Sequence, residues 1–263
     1  MKKVGFIGMG NMGYAMLSGV LKKVNSDNVS FIEIFEDRAK SVSEELNVSY
    51  TFDYKELVEG SDFIVLAIKP QMLDDVAEQI RDYVTDDLVV LSILPGVTID
   101  TIKEKIGGRV VRSMPNTPAM VGEGMTAVSY DESLFDQSEI EMIDIIYSSI
   151  GKSVKLPENL MNAAVCANGS SPAYVFMFIE ALADSVVKYG IKRDDAYTLV
   201  AQTVLGSAKL MLETKKHPGE LKDMVCSPGG TTIAAVEQLE SNGLRKSLFK
   251  ATQACYEKSE SLK

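Results

Sequence analysis

At 263 residues, 46% hydrophobic and 24% charged, the chain has the composition of an ordinary globular protein, long enough for one large α/β domain or two smaller ones. Such a chain buries enough surface to fold without disulfide or metal staples, and collagen-like, coiled-coil and disordered classes are excluded. Lys and Arg number 27 against 37 Asp and Glu, and the resulting charge of −10 repels phosphate backbones and anionic lipid, so neither nucleic acid nor a membrane is an expected partner.

Lys2 and Lys3 precede an uncharged run over 4–21 that has the outline of a secretory signal. Its glycines (Gly5, Gly8, Gly10, Gly13, Gly19) and Asn11, with no small-x-small cleavage pattern after it, argue against export. The run is too short and glycine-rich to span a bilayer, and a cytoplasmic location is expected.

Short apolar runs then alternate with amphipathic stretches. Strands are expected over 4–7, 30–35, 63–68 and 88–93, with weaker ones at 109–112 and 126–129. Helices are expected over 12–24, 38–46, 73–83 and 99–106. Near-continuous runs such as Phe63-Ile64-Val65-Leu66 mark strands buried on both faces. Their alternation with helices means βαβ units and a doubly wound sheet.

Gly8-Met9-Gly10-Asn11-Met12-Gly13 matches G-x-G-x-x-G where the first strand passes into the first helix. Gly8 suits a tight turn, Gly10 admits a pyrophosphate to the backbone, and Gly13 lets helix and strand pack closely, so this segment is expected to hold a nicotinamide dinucleotide. About 20 residues on, Glu36 suits a free ribose 2′-hydroxyl whereas Arg38 suits a 2′-phosphate, which leaves NAD and NADP open. Ala67, Lys69 and Pro70 fall at the carboxyl end of the strand beginning at Phe63, the edge where such sheets bind ligands. Met114-Pro115-Asn116-Thr117-Pro118 ends another strand in a rigid turn, with Asn116 expected to face the nicotinamide.

After Pro157 the strand signal stops, and helices are expected over 160–189, 194–214, 220–226, 233–239 and 244–259, with a break at 169–172 inside the first. Val175, Phe176, Ile179, Leu182, Ala183 and Val186, widened by Phe178 and Val187, form an apolar face broader than a two-layer monomer needs. Packing between subunits is inferred, the alternative being a helix buried within one subunit. Domains are therefore placed at 1–157 and 158–263. Cys166, Cys226 and Cys255 lack C-x-x-C spacing and read as free thiols; with a single histidine no metal site is expected. That histidine, His217, precedes Pro218 at a helix start and reads as a cap.

Ser227-Pro228-Gly229-Gly230-Thr231-Thr232 is the second ligand-bearing stretch. A proline and two glycines ahead of a helix expose several backbone N–H groups to a carboxylate-sized anion, and Thr231 and Thr232 add hydroxyls.

On these residues the sequence resembles the pyrroline-5-carboxylate reductases. The resemblance runs the whole length through Gly5-Phe6-Ile7-Gly8, Ala67-Ile68-Lys69-Pro70, the Met114–Pro118 turn, the segment from His217 to Asp223 and, most specifically, Val225 to Ile233. It implies a Rossmann-type doubly wound sheet followed by an all-α dimerisation domain, with dimers assembling into larger rings. It also implies reduction of 1-pyrroline-5-carboxylate to L-proline by NAD(P)H, the last step of proline synthesis. By resemblance the Ser227–Thr232 loop holds the substrate carboxylate and the Thr232 hydroxyl lies at the ring nitrogen. The chain departs from the family at Ser171, at Pro95, and at Tyr54, where an asparagine is usual. A β-hydroxyacid dehydrogenase is the main rival, but its junction lysine has no counterpart between Asn162 and Tyr174. Reduction of a related cyclic imine acid and a non-enzymatic NAD(P) sensor are the others.

Overall fold

The computed structural model describes residues 2–261. The chain forms two compact units, Met1–Ser170 with Cys255–Lys263, and Ser171–Ala254.

The first unit is built on an eight-stranded sheet of β1 (Val4–Ile7), β2 (Val29–Ile32), β3 (Ser49–Tyr50), β4 (Phe63–Leu66), β5 (Val89–Ser92), β6 (Arg109–Met114), β7 (Gly124–Ser129) and β8 (Gly151–Lys155), in the order β3-β2-β1-β4-β5-β6-β7-β8. Neighbours run parallel except β6 and β7. Every residue of β1, β4 and β5 is buried, because both faces are covered. On one face Phe6, Val65 and Leu91 pack with Met16 and Leu17 of α1 (Asn11–Val20), Ala39 and Val42 of α2 (Glu36–Leu46), and Ile143 and Ile146 of α6 (Gln137–Ser148). On the other, Ile7, Ile64 and Val90 meet α3 (Tyr54–Glu59), α4 (Leu73–Ile80) and α5 (Ile99–Lys105) through Leu57, Val76, Ile80 and Ile102.

The expected strands and helices of this half are present. β2, β4 and β5 stop earlier than their apolar runs, and beyond β2 and β4 the chain leaves the sheet to line a cleft. β3, β8, α3 and α6 were not expected from the sequence.

The compact unit that holds the sheet continues through Ser170. α7 (Met161–Ala164) continues into a π-helical turn, Val165–Gly169, and both lie on the sheet: Met161 and Ala164 are buried with Met114 of β6 and Ala127 of β7. The end of α12 (Leu244–Glu260) belongs here too, with Cys255 Sγ donating to Ser170 Oγ at 3.3 Å and Asn162 Nδ2 donating to Glu260.

The second unit holds α8 (Ser171–Val187), α9 (Arg193–Thr214), α10 (Pro218–Val225), α11 (Thr231–Ser241) and most of α12. Its core is small, with Ala183, Ala196 and Val200 buried between α8 and α9. Ala183 is the only buried residue of α8, while Phe176 and Met177 stand 63% and 68% exposed, so the apolar face of this helix is open in the single chain. No helix among the described residues is long and apolar enough to cross a membrane.

Candidate dinucleotide site and anion loop

β1 hands the chain to the glycine loop under tight steric control. Gly8 has φ +99°, and a Cβ on it would lie 2.6 Å from the Ala67 carbonyl oxygen, so only glycine fits. A Cβ on Gly13 would lie 2.1 Å from the Gly8 carbonyl oxygen, which is how closely α1 crosses the strand end. Gly10 is the opposite case. A Cβ there would meet nothing within 4 Å, so the space it leaves is a cradle. Gly10 is also the N-cap of α1 and provides no side-chain cap, leaving the first-turn N–H groups of Asn11, Met12 and Gly13 without a side-chain acceptor. An open cradle, free donors and the positive end of a ten-residue helix together suit a pyrophosphate.

A cleft of about 180 Å³ runs from this loop along the carboxyl ends of β2 and β4. It lies across β1, where the strand order reverses, the place for a dinucleotide in such a sheet. Ala67, Ile68 and Lys69 line it just past the end of β4. Pro70 opens the short turn beyond, Pro70–Met72.

At the adenosine end the acid lining the cleft is Glu33, which sequence reasoning missed. It is 7% exposed, and its carboxylate accepts the N–H of Met9 at 2.8 Å and of Phe35 at 3.1 Å, tying the glycine loop to the end of β2. The signal was an acid inside the run Phe31-Ile32-Glu33-Ile34. Burial, then the charge of Glu33, raises the Tyr54 hydroxyl above its ordinary pKa at the cleft wall. Glu36 stands in the exposed first turn of α2, paired with Lys40 at 2.7 Å, and that hydrogen bond holds its carboxyl below the usual range. Arg38 reaches back to the glycine loop. Its Nε donates to the Met9 carbonyl at 3.2 Å, and its guanidinium lies 5.0 Å from the centre of the Tyr14 ring.

Asn116 is buried after β6, and its Oδ1 accepts the Met125 N–H at 2.8 Å. β6 runs parallel to β5, so this turn opens on the same sheet edge as the glycine loop.

In the helical unit, Gly229 has φ +69°, and the Gly230 N–H closes the turn onto the Ser227 carbonyl at 3.0 Å. Gly230 caps α11 without any side-chain hydrogen bond, so Thr231 and Thr232 open the helix with their N–H groups uncapped by a side chain. Ser227, Gly229 and Thr231 are exposed, and Gly230 and Thr232 half-buried. His217 caps α10 as expected, its Nδ1 accepting the Gly219 N–H at 3.1 Å.

Two family descriptions match the chain: pyrroline-5-carboxylate reductase dimerisation over residues 158–262, and NADP oxidoreductase, coenzyme F420-dependent, over 3–96. The pyrroline-5-carboxylate reductase of Escherichia coli K12 is 40% identical over 99% of this chain and 98% of its own. The chain belongs to the pyrroline-5-carboxylate reductase family. The structure of the Coxiella burnetii pyrroline-5-carboxylate reductase superposes with a TM-score of 0.93 at 31% identity, over 99% of this chain and 98% of that one. That of a Plasmodium falciparum pyrroline carboxylate reductase with NADP bound gives 0.87 at 30% identity, over the same shares. As a member of this family the chain is an NAD(P)H-dependent oxidoreductase of proline biosynthesis acting on a small molecule, and a homo-oligomer. The β-hydroxyacid dehydrogenase and sensor alternatives fall with that assignment.

Proposed function

We propose that the chain reduces the C=N bond of 1-pyrroline-5-carboxylate to L-proline through two anion sites, the Gly8–Gly13 loop for the dinucleotide and the Ser227–Thr232 loop for the substrate carboxylate. Residues 1–157 supply the first and 158–263 the second, together with the subunit contacts. The observation that carries this reading is the presence of two helix starts, α1 and α11, each capped by a glycine that offers no side chain to its own free N–H groups.

When bound, NAD(P)H supplies a hydride to the imine carbon. The protein's part is to hold and orient. An imine accepts hydride readily as its iminium, and the nitrogen keeps that proton in the secondary amine product. No strong general base is required. The Thr232 hydroxyl is too weak an acid to protonate the imine and serves as hydrogen-bond partner to the ring nitrogen, the proton coming from water. Gly229 and Gly230 keep the carboxylate site free of side chains, with Ser227 and Thr231 at its rim.

At the adenosine end the reading favours NADPH. Arg81, Arg109, Arg112, Arg193 and Arg245 each pair with a carboxylate, whereas Arg38 is held by a carbonyl and an aromatic ring beside the glycine loop, its charge uncompensated. Glu36 is already engaged by Lys40. A 2′-phosphate suits Arg38. Among the described residues Cys166, Cys226 and Cys255 form no disulfide, which fits a reducing cytoplasm. The open face of α8 fits a dimer through the helical half, built up into rings.

The test is loss of reduced-nicotinamide absorbance with pyrroline-5-carboxylate and either NADPH or NADH, with a 3-hydroxy acid and oxidised cofactor as control. Turnover of the imine with NADPH ahead of NADH is expected. Binding of the dinucleotide without imine turnover would refute the substrate assignment.

A further inference from the structure

We infer that Asn168 is a positioning residue for hydride transfer, fixing the Pro115–Asn116 turn at the nicotinamide end of the site. This rests on the reading that Asn116 faces the nicotinamide.

Asn168 sits in the π-helical turn Val165–Gly169, where the Ser170 N–H reaches the Val165 carbonyl at 2.8 Å. A widened turn of this kind breaks helical spacing and re-aims a side chain, and such turns recur at functional sites. Here the side chain is turned onto the sheet. Asn168 is 9% exposed, and its Nδ2 donates to two carbonyls at once, Met114 at 2.8 Å and Met125 at 2.8 Å. Met114 is the last residue of β6 and Met125 lies at the start of β7, so the amide bridges the two ends of the turn that carries Asn116. Asn116 closes the clamp from within, its Oδ1 accepting the Met125 N–H at 2.8 Å. Met125 is thereby held at its N–H by one asparagine and at its C=O by another.

The clamp leaves one buried group unsatisfied. Asn168 Oδ1 has no hydrogen-bond partner among the described residues. Flipping the amide would face an oxygen toward two carbonyl oxygens, so the geometry accepts an orphan acceptor in order to place two donors. An apolar side chain of this size would remove the orphan oxygen but would also take the amide donors from the Met114 and Met125 carbonyls. What the amide adds is a fixed separation between β6 and β7 at the mouth of the turn, on the edge shared with the glycine loop.

The variants are Asn168→Ala, Asn168→Ser and Asn168→Asp. For Asn168→Ala, kcat is expected to fall roughly tenfold to hundredfold, the cost of sub-ångström misplacement. NADPH affinity, measured by fluorescence without substrate, should stay within about twofold because the phosphate contacts lie elsewhere. The primary isotope effect with NADPH deuterated at C4 should rise. Asn168→Asp should be worse at neutral pH, since a carboxylate faces two carbonyls. Relative to wild type it should recover as pH falls and the new carboxyl regains a donor, whereas general loss of structure would not recover. A readout independent of activity is hydrogen exchange over 114–125. NADPH, but not 2′,5′-ADP, which lacks the nicotinamide, should protect this segment in wild type and not in Asn168→Ala. Wild-type kcat and isotope effect in Asn168→Ala, or equal protection by both ligands in wild type, would overturn the inference. Absence of imine turnover in wild type strikes the substrate assignment instead and leaves the exchange experiment to decide.

Discussion

Thr232, Gly10 and Arg38 divide the proposed site into contributions that separate in kinetics. Thr232→Ala removes one hydrogen bond to a charged partner, worth about 1.5–3 kcal/mol, so kcat should fall roughly tenfold to hundredfold with cofactor affinity nearly unchanged. Wild-type turnover would withdraw Thr232 from the imine. Gly10→Val should do the reverse. A branched side chain fills the cradle that is open to beyond 4 Å, and dinucleotide affinity measured by calorimetry should drop on the order of a hundredfold or more while the fold survives. Arg38→Ala should cost NADPH about tenfold or more in kcat/KM and leave NADH within a few-fold, which a two-cofactor assay reads directly. An equal loss with both cofactors would reduce Arg38 to a strut between Met9 and Tyr14. At this scale Gly8 and Gly13 were legible because each answers a steric demand of the fold, and Gly10 because it leaves a cradle open. Glu33 was not. An acid in an apolar run reads as a break in a strand until the Met9 and Phe35 N–H groups that it satisfies are brought to it by folding.

Among the elements, legibility followed burial. β1, β4 and β5 are covered on both faces and announce themselves as unbroken apolar runs. β8 is an edge strand, Gly-Lys-Ser-Val-Lys, exposed along most of its length, and its charges suit an edge rather than a core, so nothing periodic marks it. β3 is two residues long. α6 was within reach: Asp136 and Glu139 form a capping box, Asp136 accepting the Glu139 N–H at 2.9 Å and Glu139 accepting the Asp136 N–H at 3.0 Å. The same Glu139 takes two hydrogen bonds from Arg109 of β6, at 2.6 and 2.7 Å, and so locks the start of α6 to the sheet. Those bonds hold the Glu139 carboxyl below its ordinary 4.5 despite burial. A carboxyl depressed in the folded state stabilises above its unfolded pKa and loses that contribution as pH falls through the folded value. Glu139→Gln should therefore cost about 1.5–3 kcal/mol near neutral pH, because Arg109 loses its carboxylate while keeping the Leu134 and Asp87 carbonyls. The gap to wild type in urea melts should narrow only below about pH 4.5. A gap independent of pH would mean that shape, not charge, does the locking.

For the molecule as a whole, the placement of 158–170 against the sheet shows what a single sequence leaves open. An amphipathic helix carries the same pattern whether it covers a sheet or another helix, and Met161 and Ala164 gave no sign that their partners would be Met114 and Ala127. The reverse holds for α8, whose apolar surplus was visible in the sequence and is still uncovered in the folded chain, with Phe176 and Met177 exposed and Ala183 alone buried. A core of Ala183, Ala196 and Val200 buries few large side chains, so the proposed association through this half would add to its stability. That gives a prediction in two linked readouts. Phe176→Asp puts a charge into the face, and sedimentation equilibrium should show a smaller species than wild type. Thermal unfolding of wild type should become concentration-dependent, because association and folding of the helical half are one equilibrium. If Phe176→Asp kept the wild-type mass and melted alike at every concentration, the exposed face of α8 would be a solvated surface, and the subunit contact would have to lie on other helices of the same half.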